Sequence, residues 1–211
     1  MMEIIMLSLA VSGTAVALAT LMGVPFGAYL GFSDSRLAQW ITRIIYTLMG
    51  LPPVVAGLVI YMLLRSKGPF GVLDLLFTPT AMIIAQTVLV FPIVSGISMV
   101  GIREKDREIR DTAITLGASG CQAVLAVIKE ARFTILGAVV AGFGRAVAEV
   151  GAVMMVGGNI EGYTRVMTTA IVLETRKGNF EFAIGLGLVL LIIAFMVNSV
   201  FYHLQNGVKR Y

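Results

Sequence analysis

REKDREIRDTAITLGASGCQAVLAVIKEAR, Arg103 to Arg132, is the one long polar island in an otherwise oily chain. It opens with alternating charges and continues as an amphipathic helical pattern. Ile109, Ala113 and Leu116 fall on one side, with Arg107, Glu108, Arg110 and Asp111 around the other. Gly117, Ala118, Ser119 and Gly120 interrupt that helix. A second helical pattern follows, with Val124, Val127, Ile128 and Ala131 on one face. Helix, small-residue break and helix, set between apolar spans, predict a cytoplasmic element that lies across a membrane domain and presents a knob to something soluble. The competing reading is an ordinary solvated loop.

The rest of the chain supplies the apolar spans. Of its 211 residues 58% are hydrophobic and 13% charged, and the mean hydropathy is +0.93. Charge at about half the usual soluble frequency indicates lipid as solvent. A spanning helix takes about 20 apolar residues, so five or six spans fill residues 1–211 as a single transmembrane domain. No room is left for an ATPase. The net charge of +4 comes from dispersed basic residues, which fits basic loops facing the cytoplasm better than a nucleic-acid footprint. One cysteine, Cys121, allows no internal disulfide. Glu3 and the absence of a basic n-region predict no cleavable signal peptide.

Five spans are expected, at about 6–32, 37–64, 80–102, 133–156 and 182–204, with the coupling stretch at 103–132. In the first, Ser8, Ser12, Gly13, Thr14 and Gly23 are small residues suited to close helix packing, and Pro25 and Gly27 suggest a kink. Ser33 or Ser35 can cap the second, whose Trp40 and Tyr46 have the character of interfacial anchors. GLPPVVAG, Gly50 to Gly57, interrupts that span; Pro52 and Pro53 break a helix, and inside a membrane such a break survives only against protein or a watery cavity. The reading is divided between a packing kink and a pathway lining. The third span carries Pro92 as an interruption and one polar residue, Gln86, an interhelical hydrogen-bond partner or a substrate ligand.

The fourth span is rich in Gly and Ala and holds Arg145 and Glu149, four residues apart and able to pair on one helix face. Arg145 lies about 18 Å beyond the polar stretch at 1.5 Å per residue, near mid-membrane. A charge there must be paired or face water, so the pair either fixes helix packing or holds Arg145 beside the path of an anion. Residues 157–181 are too polar to cross in full, and the apolar Val166 to Leu173 suits a re-entrant or interfacial segment. His203 has no second ligand candidate nearby, and no metal or cofactor site is expected.

Asp111-Thr112-Ala113-xxx-Gly117 resembles the coupling loop of ABC-importer permease subunits, with Asp111 where glutamate is usual and Glu130 where proline is usual. LPPVV at Leu51 to Val55, the turn Gly68-Pro69-Phe70-Gly71, EVGAVMMVGGNI at Glu149 to Ile160 and GYTRVMTTAI at Gly162 to Ile171 resemble the molybdate and tungstate permeases, closest to the tungstate branch. The resemblance runs from Ser8 to about Leu204. It implies an all-α integral membrane permease without enzymatic activity, working as a homodimer around one pathway. Two cytoplasmic P-loop ATPases would receive the coupling loop at Asp111, Thr112, Ala113, Gly117 and Ala118. An extracytoplasmic oxyanion-binding protein would deliver the substrate, tungstate first, with molybdate or sulfate as alternatives. Pro52, Pro53, Gln86, Arg145 and Glu149 are then candidates for the pathway or gate.

Ten Lys and Arg residues fall on the side of the 103–132 stretch and five on the other. By the positive-inside rule this predicts a multi-pass prokaryotic cell-membrane protein, N-terminus outside and C-terminus cytoplasmic. No Gly-rich loop ending in Gly-Lys-Ser/Thr is present, so ATP is expected to be hydrolysed by a partner chain. A permease for another small solute, such as an amino acid, and a stand-alone secondary carrier are the remaining alternatives.

Overall fold

The computed structural model describes residues 1–208, with side chains to His203, and the basic tail at Lys209 and Arg210 lies outside the described residues. Among the described residues there are eight α-helices and one 3-10 turn, Gly71–Leu73, and no strand. The helices are α1 (Met2–Phe32), α2 (Arg36–Met49), α3 (Pro53–Leu64), α4 (Pro79–Thr115), α5 (Gly120–Val147), α6 (Gly151–Gly157), α7 (Met167–Arg176) and α8 (Phe180–Val208). Three are long and apolar enough to cross a membrane: α1, α4 and the described part of α8. The bent pair α2–α3 makes a fourth candidate. The final 18 residues of α5 carry Glu130, Arg132 and Arg145, so that helix is less apolar than the others.

The centre of the bundle is α4, whose buried face runs from Ala81 to Ile102 and packs on α1, α2, α3, α5 and α6. Against it lies a ridge on α1 in which Ala15, Ala19, Gly23, Gly27 and Gly31 recur every four residues and all are buried. Small residues at this spacing let two membrane helices approach at backbone distance. A Cβ built on Gly27 would sit 2.4 Å from the Ser95 carbonyl oxygen, and one on Gly31 would sit 2.9 Å from Ile102 Cγ2. Gly13, expected to serve the same packing, instead faces open space with nothing within 4 Å of its Cβ position.

Neither interior proline breaks its helix. Pro25 lies within a continuous α1 and Pro92 within a continuous α4, so the interruption expected at Pro92 is absent. Each proline removes one backbone donor, a loss that the helices packed around it offset. The double proline behaves differently. Met49 ends α2, Gly50 caps it, Pro52 and Pro53 start α3, and the two helices meet at 104°. Ser35 caps α2, accepting from the Ala38 amide at 3.1 Å.

Two boundaries differ from the spans expected. The third span and the first half of the polar stretch form one 37-residue helix, α4, and the second half runs without a break into α5. Glu130 permits this: an interior proline would have removed a donor and crowded the preceding turn. The expected fourth span, 133–156, is divided at Ala148–Val150, where α5 ends and the seven-residue α6 begins.

Candidate functional site

The first candidate region is the tip of the α4–α5 hairpin. Gly117 adopts φ +89°, the left-handed region that only glycine enters without steric cost. Its amide donates to the Ile114 carbonyl at 2.9 Å and that of Ala118 donates to Ala113 at 3.0 Å, the paired bonds of a Schellman helix end. Two residues later Ser119 and Gln122 cap α5 reciprocally, Ser119 Oγ accepting from the Gln122 amide and Gln122 Oε1 from the Ser119 amide. Thus Asp111, Thr112, Ala113, Gly117 and Ala118 form a tight, fully capped corner. Ala113 supplies a capping carbonyl, and Asp111 and Thr112 are exposed beside it.

The apolar side chains at this corner are uncovered. Leu116 is 83% exposed, and Ile114 and Leu125 are exposed with it. Leu116 therefore does not share the packed face expected with Ile109; only Ile109 reaches the core formed by Ile102, Val127 and Ala131. The stem below is braced. Arg103 donates to the Leu30 carbonyl at 2.9 Å, Arg110 pairs with Asp106 at 2.7 Å and lies over the Phe32 ring. The hairpin and the end of α1 are thereby tied together.

The second region is the break between α5 and α6. Arg145 Nη1 donates to Glu149 Oε2 at 2.9 Å, so the expected pair forms. The two residues do not share one uninterrupted helix, however: Arg145 is in the last turn of α5, and Glu149 lies past its end. The other Glu149 oxygen accepts the Ala152 amide at 3.0 Å, capping α6, and the Glu149 carbonyl accepts Thr168 Oγ1 of α7 at 2.8 Å. Gln86 Nε2 of α4 donates to the Ala146 carbonyl at 3.0 Å. A cation at a helix C-terminus and a carboxylate at the next N-terminus both match the helix dipoles. The break is built from side chains, and no glycine or proline occupies Ala148–Val150.

The double-proline corner meets this junction. Gly151 faces Val54 and Glu149: its Cβ position is 3.0 Å from Val54 Cγ2 and 3.6 Å from Glu149 Oε1. Gly57 of α3 backs onto Ala152, whose Cα would be 2.7 Å from a Gly57 Cβ. Gln86, Arg145 and Glu149 thus meet at one junction, and Pro52 and Pro53 immediately precede Val54, which faces it. They are not equally exposed. Glu149 is 2% accessible and Gln86 is buried, whereas the Arg145 side chain keeps 32% of its surface.

The sequence reading missed three hydroxyls. Ser8 Oγ accepts the Met167 amide at 2.7 Å, tying α1 to the start of α7. Thr164 Oγ1 accepts the Ile160 amide and donates to the Gly157 carbonyl, and Thr168 holds the junction as described. Together they dock the short α7, whose Met167, Thr168, Thr169 and Ala170 are buried, against the ends of α1 and α5. This agrees with a re-entrant or interfacial segment. The signal available was hydroxyls at the edges of an apolar run too short to cross. At its far end, Glu174 is held below its ordinary value of 4.5 by hydrogen bonds from Lys177 and Asn179.

Comparison with known proteins supports a single assignment. The profile described as binding-protein-dependent transport system inner membrane component matches residues 23–210. The tungstate uptake system permease protein TupB of Peptoclostridium acidaminophilum is 46% identical over 96% of this chain and 89% of its own length. TupB of Campylobacter jejuni is 40% identical over 83% of this chain and 73% of its own. A sulfate transport system permease, CysW of Escherichia coli K12, is 30% identical over 88% and 69%. A solved amino acid ABC transporter superposes with a TM-score of 0.74 over 97% of this chain and 92% of its own, at 20% identity, and bears on the fold alone. An all-helical bundle with several membrane-length helices and this profile over most of its length belongs to the inner-membrane permease subunits of binding-protein-dependent ABC transporters.

Proposed function

We propose that this chain is the permease of an ABC importer for an inorganic oxyanion, tungstate first, with Arg145 at the anion's path. Support for the substrate comes from the two tungstate permeases among its relatives, with molybdate and sulfate permeases more distant. The observation that carries the role of Arg145 is its uneven pairing. Glu149 is enclosed, while about one third of the arginine side chain looks out of the bundle. An arginine at this depth does not rest against lipid without a large cost. Its open side therefore faces a second copy of the chain or the aqueous gap between two copies, where a dianion would meet a guanidinium already oriented by Glu149.

In this reading five segments cross the membrane, α5 with α6 completing the fourth and α8 the fifth. The N-terminus is outside and the C-terminus cytoplasmic. The Asp111–Ala118 corner is the cytoplasmic coupling element that a P-loop ATPase grips, and the α6–α7 side receives the oxyanion-binding protein. The exposed Leu116 and Ile114 beside Asp111 suit a socket on a soluble partner.

The test is uptake of radiolabelled tungstate by proteoliposomes holding the complete transporter. Losing one charged hydrogen-bond partner costs about 1.5–3 kcal/mol, so Arg145→Ala is expected to slow uptake at least about tenfold while the ATPase still co-purifies. Arg145→Lys is expected to retain part of the rate. Uptake at the parent rate in Arg145→Ala would refute the role of Arg145. Competition by molybdate and sulfate but not by amino acids is expected; an amino acid that competes equally would refute the oxyanion assignment.

A further inference from the structure

A second feature shares no residue with the Arg145–Glu149 junction. Between α5 and α8 lies an apolar crevice of about 320 Å³, lined by Leu136, Val139 and Val140 on one side and Met196, Val197, Val200 and Phe201 on the other. Beside it the tip of the Phe201 ring lies against Gly137, 3.2 Å from the Gly137 Cβ position. The crevice does not end at random on α5. Lys129, Arg132, Leu136, Val139 and Val140 fall within one roughly 100° stripe at 3.6 residues per turn. Its apolar part therefore continues directly into two basic side chains. Arg132 is one turn, about 6 Å, below Leu136. Both Lys129 and Arg132 are exposed, and neither has an ion-pair partner among the described residues. Arg132 lies over the ring of Phe133 at 4.8 Å, which holds its guanidinium against the helix. Glu130 is on another side of the helix.

An apolar slot at membrane depth whose one basic end sits at the head-group level matches an amphiphile with an anionic head and a hydrocarbon chain. We propose that the α5–α8 crevice binds one anionic phospholipid, an acyl chain between Val140 and Phe201 and its phosphate on Arg132 and Lys129. The seated chain fills the gap that α5 and α8 leave between them, so the lipid braces α8 against the bundle.

The experiment uses the purified full-length permease in detergent, titrated separately with phosphatidylglycerol and with phosphatidylcholine of the same chains. Native mass spectrometry reads the retained lipid. At about fivefold for each basic residue near a charged lipid surface, phosphatidylglycerol is expected to bind about 25-fold tighter than phosphatidylcholine. The double variant Lys129→Gln/Arg132→Gln, altered only at exposed positions, should lose that preference. Val140→Trp, which occupies the slot, should lose retention of both lipids. Undiminished preference in the double variant overturns the proposal, as does parental lipid retention in Val140→Trp. Disulfide cross-linking of two copies through Val140→Cys would show that a second copy covers the crevice and would also overturn it.

Discussion

Replacing Gly27 by alanine tests the packing on which the bundle depends. The new methyl would stand 2.4 Å from the Ser95 carbonyl oxygen and 3.1 Å from both the Ser95 carbonyl carbon and Ser98 Cβ. Ordinary contact needs about 1 Å more than the first of these distances. The obstacle is backbone, so no rotamer change relieves it; α1 must move away from α4. Gly23 and Gly31, one turn to either side, hold the same close approach, with Cβ positions 3.3 and 2.9 Å from α4. Any separation therefore opens the interface along three turns. Overpacking of this kind costs about 1–3 kcal/mol, and the rigid backbone target places Gly27→Ala at the upper end. At about 2–4 °C for each kcal/mol in a chain of this size, the thermal midpoint of the detergent-purified protein should fall by several degrees. Gly13→Ala is the matched control on the same helix, with nothing within 4 Å and a gain in helix propensity of up to about 1 kcal/mol. Equal midpoints for Gly27→Ala and Gly13→Ala would refute the close-approach argument.

At the hairpin tip, Gly117→Ala meets no atom within 4 Å but must hold φ near +89°, a strain of about 1–2 kcal/mol. Transport per ATP hydrolysed is expected to drop, and less so for Gly117→Asn; the ratio of uptake to phosphate release in proteoliposomes measures it. At the junction, Glu149→Ala leaves the partly exposed Arg145 without its partner and the Ala152 amide uncapped, a loss of about 1.5–3 kcal/mol, read as a lower yield of monodisperse protein. Glu149→Gln keeps an acceptor for Ala152 and should fold better than Glu149→Ala. For Glu174, a carboxyl held below 4.5 in the folded chain contributes stability that is present above that value. It is lost as pH falls through the lower folded value, because the unfolded chain takes up the proton first. Amide exchange at Lys177 to Asn179 should therefore accelerate, relative to Glu174→Gln, only in acid below that range.

Local chemistry was readable wherever a residue's own backbone limits decided the outcome. Pro52 and Pro53 cannot continue α2, Ser35 caps it, and Gly117 followed by Ser119 ends one helix and starts another. Arg145 and Glu149 could be paired on spacing alone. What escaped depends on distant partners. The α5–α6 break has no breaker residue within Ala148–Val150; Glu149 in the break, Gln86 of α4 and Thr168 of α7 take up its backbone groups. Pro92 looked like an interruption, yet its helix is packed on several sides and stays whole. The glycines at 23, 27 and 31 repeat visibly, but their purpose emerges only once Ser95 and Ile102 lie opposite.

The uninterrupted length of α4 and α5 has a mechanical corollary. At 1.5 Å per residue they run about 55 and 42 Å, one joining Thr115 to Gln86 and the other Gly120 to Arg145, and both are continuous, α4 even through Pro92. In the proposed coupling role, a push at the exposed corner would travel along both helices and reach the far end as a tilt or slide, where Gln86 and Glu149 hold the backbone together. Two continuous helices sharing one capped elbow would then act as a crank, its throw fixed by helix length.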